Sequence, residues 1–164
     1  MGLEQTLITW IHLVSASIWV GGSIFLGVVL APILKTMYDS HEERIRIMIK
    51  VGRRFNKLAV PSLLILIATG VYNSRHVLGN PELLFSTDYG TYLIVKIVLV
   101  IMLIVVFLVH IRIIRRDIED EIMAKRMSQT QLQRLRRKII ILGEATVVIS
   151  VAILFFAAAL NSGL

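Results

Sequence analysis

Cysteine is absent from the 164 residues. That removes structural disulfides, zinc ribbons, iron–sulfur clusters, thiolate copper sites and thiol catalysis, leaving His, Met, carboxylates and Lys as site chemistry. Charge is missing from long stretches as well. Between Glu4 and Lys35 thirty residues contain no Asp, Glu, Lys or Arg, more than the roughly 20 that cross a hydrocarbon core at about 1.5 Å rise each. Acids are the scarce sign, 11 against 18 Lys and Arg, for a formal charge of +7. A basic cleavable signal region, an internal repeat and a thioether ladder are also lacking. The Met-Gly-Leu-Glu-Gln-Thr start fits a myristoylation pattern, which the expected position of the terminus outside the cell excludes. What is present is apolar: 56% hydrophobic residues and a mean hydropathy of +0.77 describe an integral membrane protein.

Four apolar runs are read as spans, at about 5–34, 58–74, 89–111 and 139–161, with cytoplasmic helical extensions at about 40–57 and 112–138. The fold class expected is all-α: one membrane domain over 1–164, an antiparallel bundle of four transmembrane helices. Seven Lys and Arg lie between the first two spans and nine between the last two, while the opposite side carries one, Arg75. The positive-inside bias therefore places both basic loops in the cytoplasm and both termini outside, in the plasma membrane. The surplus charge reads as orientation and attraction to anionic headgroups, with the lipid bilayer as partner and no nucleic acid. Ser40–Glu43 and Ser128–Gln131 have capping-box spacing. Ile114, Ile118 and Ile122 form a stripe that continues the third helix past the membrane.

Ionisable side chains inside spans are functional candidates, because each costs a few kcal/mol to bury there. There are four: His12, Lys96, His110 and Glu144. His12 and Lys96 lie at similar depth, roughly 5–10 Å below the outer interface, where they can meet. His110 and Glu144 sit near the cytoplasmic ends of their helices and read as a proton-handling or structural pair. Spaced by seven, Lys96, Leu103 and His110 share one face. His12, Ala16, Trp19 and Ser23 form a stripe on helix one, and Gly21, Gly22 and Gly27 provide slender walls there for tight packing or a flat ligand. His76, just past helix two, can fold back as a second imidazole. Trp10, Tyr72, Tyr89 and Tyr92 fit interfacial belts.

Several short motifs carry a resemblance. Trp10-Ile-His12, Trp19-Val-Gly-Gly22, Arg53-Arg54-Phe55, Ala68-Thr69-Gly70-Val-Tyr-Asn73, Tyr89-Gly90 ahead of Lys96, and Leu135-Arg136-Arg137 ahead of Glu144 resemble, in order, the CopD domain of copper-resistance proteins over nearly the whole chain. The placement of His12 on helix one and Lys96 on helix three is also similar to HemJ-type protoporphyrinogen oxidases. The first resemblance implies copper uptake or resistance, and the second implies b-type haem or porphyrin redox chemistry.

A copper pathway needs several weak soft sites in series, whereas this ligand inventory favours one fixed centre. The leading expectation is a redox-active centre in the outer half of the bundle, b-type haem rather than copper. Neutral His12 would be its axial ligand, with Lys96, Trp19, Gly22 and His76 around it. His12 and His76 are the candidate metal ligands. Copper movement is the alternative function, and an accessory subunit of a larger membrane complex is the third.

Overall fold

A computed structural model describes residues 2–124 and 126–162, excepting the side chains at 116, 117, 119, 123, 161 and 162. All described secondary structure is helical. Helix α1 (Leu3–Ile24) passes through a π-helical turn (Phe25–Leu30) into α2 (Ala31–Met37), making one rod of 35 residues. The π turn lies directly before Pro32. That residue has no N–H to give the carbonyl four residues earlier, a setting in which a helix bends or changes register.

Helix α3 (His41–Leu78) joins the first basic segment to the second span without a break. It opens as the spacing predicts, with the Ser40 hydroxyl accepting from the Glu43 N–H at 3.5 Å, and it runs on past Ser74 through Arg75 and His76. After short α4 (Pro81–Ser86), the Thr87 hydroxyl accepts from the Gly90 N–H and caps α5 (Asp88–Ile113). A Cβ at Gly90 would overlap the carbonyls of Leu83 and Leu84, so α4 can lie across the start of α5 only because that side chain is missing.

The third span does not continue as expected. At Arg115 the backbone is extended, and a separate helix, α6 (Arg116–Met123), follows. The isoleucine stripe nevertheless keeps its role. Folding back lets Ile118 and Ile122 join Ile45, Ile49, Ile114, Leu132, Leu135 and Ile139 in a core outside the spans. Helix α7 (Gln129–Ser162) starts at a reciprocal capping box, Ser128 N–H to Gln131 Oε1 at 2.8 Å and Gln131 N–H to Ser128 Oγ at 3.2 Å.

Four helices are long and apolar enough to cross a membrane. The closest packing pairs α1 with α3 and α5 with α7, and α1 against α7 joins these two hairpins. Successive rods run antiparallel, which gathers the two basic connections at one end (the basic end) and leaves the termini and the 79–87 connection at the other (the terminal end). Large apolar side chains such as Phe155, 68% exposed, point outward, as expected of a lipid-facing surface.

Inside, Trp19 is 2% exposed and forms the centre of the bundle. Its indole N–H donates to Ser150 Oγ on α7 at 3.0 Å, and its ring meets Phe107 on α5 edge-on at 4.8 Å. Ala59 and Leu63 of α3 and Leu103 of α5 complete that core.

Candidate functional site

In the terminal half, α1 and α3 are held by side chains in antiparallel register. Gln5 donates to Asn73 at 2.9 Å, Tyr72 donates to Glu4 at 2.5 Å, and His12 meets Thr69 at 2.6 Å. Arg75 lies over the Tyr72 ring, 3.9 Å from its centroid.

His12 meets Thr69 through its Nδ1 nitrogen. Thr69 Oγ1 has one proton, and it is committed to helix carbonyls, at 2.6 Å to Ile65 O with Leu66 O at 3.4 Å. With that proton on the helix carbonyl the hydroxyl accepts from His12 Nδ1–H, and in this tautomer the Nε2 lone pair is uncommitted. Gly70 keeps the wall beside the ring thin, since a Cβ there would lie 3.7 Å from His12 Cε1. Metal-ligating histidines are likewise oriented through their other ring nitrogen, there by a carboxylate, a backbone carbonyl or water.

Lys96 comes from α5 to the same region, half-buried, and its charge acts on the His12 ring. Among the described residues it has no hydrogen bond or ion pair. No hydrogen bond joins the two groups among the described residues. His76 does not join them: it stands exposed on the last turn of α3, seven residues and about 10 Å of helical rise beyond Thr69. Helix propagation through Arg75 carries it away from His12 rather than folding it back. Gly22 has a different neighbour as well. A Cβ there would overlap the Phe55 ring, so the space it leaves is taken by α3 packing. Trp19 is committed to Ser150 and Phe107.

The basic half holds a cavity of about 390 Å³. It lies between the π turn and α2, α3, and the basic ends of α5 and α7. Trp19, Phe55 and Phe107 close it toward the bundle centre, while Lys35, Arg44 and Arg136 line its basic side. His110 and Glu144 both line it, but no hydrogen bond or ion pair joins them among the described residues. Glu144 is exposed and His110 half-buried. Among the described residues no cluster of three or more His, Cys, Asp or Glu is placed to hold a metal ion.

Sequence reasoning missed Thr69, Phe55, Ser150 and the cavity. A hydroxyl inside the 58–74 run was the available signal for Thr69, and Gly27 with Gly143 was the available signal for the cavity.

Fold and site define a multi-pass integral membrane helix bundle with an oriented imidazole in its terminal half. Residues 49–160 match the CopD family, described as copper resistance protein D, and the chain belongs to that family. Lys96, His110 and Glu144 fall inside the match, and His12 lies before it. An uncharacterized protein of Aquifex aeolicus (strain VF5) is 34% identical over 92 residues, which is 56% of this chain and 62% of that protein. The copper transport protein CutJ of Bacillus subtilis (strain 168) is 28% identical over 111 residues, 68% of this chain but 19% of CutJ. The chain thus spans less than two thirds of either relative. No solved structure shows significant similarity to it.

Proposed function

We propose that the protein handles copper as cargo at the membrane and that His12 Nε2 is the atom meeting the ion in the terminal half. The observation carrying this reading is the contact of Nδ1 with Thr69, which leaves Nε2 as the ring nitrogen open to a ligand. CopD family membership and the CutJ relative, named for copper transport, favour copper as the metal. With the basic end cytoplasmic by the positive-inside bias, His12 lies on the outer side, the side from which a cation would be taken up. Lys96 opposes a second positive charge near that nitrogen, so Lys96→Leu, which removes the charge without adding a soft ligand, is expected to raise copper affinity.

Copper flux into proteoliposomes tests the proposal. Flux above that of empty liposomes, falling to background in His12→Ala, is the expected result; equal flux with and without protein rejects it.

A b-type haem on His12 is the competing use of the same lone pair. It would rest on one imidazole, since His76 stands about 10 Å of helical rise beyond Thr69. A Soret band that disappears in His12→Ala, in protein without copper flux, would replace copper by haem. Stoichiometric co-purification with a respiratory or copper-enzyme complex would instead make the chain a subunit.

A further inference from the structure

We propose that the cavity at the basic end binds an anionic phospholipid, one acyl chain lying inside and the phosphate held by Lys35, Arg44 and Arg136. This site is separate from copper handling at His12. At about 390 Å³ the cavity has the size of a small-molecule site. Its walls are largely aliphatic and its inner limit is aromatic, which suits a hydrocarbon chain. Gly27 and Gly143 line it, and a Cβ added at either would meet nothing within 4 Å.

The cavity opens sideways. Val28 on the π turn and Val148 on α7 both line it while being 63% and 67% exposed, so an acyl chain can enter from the bilayer between the first rod and α7.

The charge at its edge is complementary to a phosphate. Three cations arrive from three helices, α2, α3 and α7. Arg44 is oriented by the backbone carbonyls of Tyr38 and Asp39, at 2.5 and 3.2 Å, which fix the guanidinium without neutralising it. Lys35 and Arg136 have no ionic partner among the described residues. The carboxylate of Glu144 also lines the space, but its backbone lies eight residues along α7 from Arg136, about 12 Å deeper. Basic pockets between membrane helices, with cations at headgroup level, are the setting in which acidic lipids are selected. A soluble anion would satisfy the cations and leave the apolar walls without a partner.

Trp19 lines the cavity and reports on its occupant. In a Trp10→Phe background it is the sole tryptophan. Nanodiscs of phosphatidylcholine carry an equal fraction of either brominated-chain phosphatidylglycerol or brominated-chain phosphatidylcholine, and quenching of Trp19 is compared. Quenching by the acidic lipid should reflect a preference of about fivefold or more, the value of about one interfacial cation. The preference should vanish in Lys35→Gln/Arg44→Gln/Arg136→Gln. Because Arg44 also holds the α2–α3 connection, Lys35→Gln/Arg136→Gln is the companion variant, expected to reduce the preference. Gly143→Leu, which fills the open space, should abolish quenching by both lipids. Equal quenching by the two lipids in otherwise unchanged protein overturns the proposal. So does loss of the preference on adding inorganic phosphate alone, which would assign the cations to a soluble anion.

Discussion

The two halves of this bundle use the same four rods differently. In the terminal half, α1 and α3 are tied by polar side chains, Gln5 to Asn73, Tyr72 to Glu4 and His12 to Thr69. In the basic half the helices border a cavity, and Ile49, Ile122 and Leu135 belong to a separate apolar cluster. Trp19 divides them, bonded to α7 and stacked edge-on against α5. The difference shows how a membrane bundle can be tied by polar side chains at one end and open at the other. Lipid supplies no hydrophobic drive between helices, so close approach depends on polar bonds and small residues.

The largest way to break this division is Trp19→Ala. It removes the indole bond, the Phe107 contact and the inner wall of the cavity together, and should cost about 3–5 kcal/mol. Denaturation of the purified protein followed by circular dichroism would check it, and a cost below about 1 kcal/mol, typical of a single hydrogen bond, would mean the two halves are not joined there.

Gly90→Ala perturbs only the terminal half, forcing α4 off the start of α5. A cost of about 1–3 kcal/mol is expected from overpacking against backbone that cannot rotate away. The same denaturation measurement decides it.

Thr69→Val sharpens the comparison by separating stability from ligation. Folding should weaken by about 1 kcal/mol, while copper affinity should fall about 10–100-fold as the ring loses the partner that fixes its tautomer. Metal titration monitored alongside unfolding would reveal a merely structural contact if both change in proportion. The smallest effect is Asn73→Ala at the exposed end of the α1–α3 pair, expected within about 0.5 kcal/mol by the same unfolding assay.

Local rules served well where neighbours in sequence are also neighbours in space. Ser40 and Ser128 cap their helices because a capping box needs only the following turn. His12 and Lys96 were legible as polar groups in apolar runs because the bilayer makes such residues expensive. Thr69 was not, since a hydroxyl in a membrane helix ordinarily bonds its own preceding turn; Thr69 does that as well, while accepting from His12. Gly22 was read as a slender wall for tight packing or a flat ligand, and Phe55 packs against it, a partner that no spacing within helix one can name.

Four spans, helical throughout, with basic segments gathered at one end, follow from the apolar runs and the placement of Lys and Arg, because an apolar run of that length satisfies its own backbone hydrogen bonds in hydrocarbon as a helix. Which nitrogen of His12 is free, which cations border the cavity, and where that cavity lies depend on contacts between residues tens of positions apart. Those contacts arise only when the rods pack, since each is set by the rotation and separation of two helices and not by the residues of one.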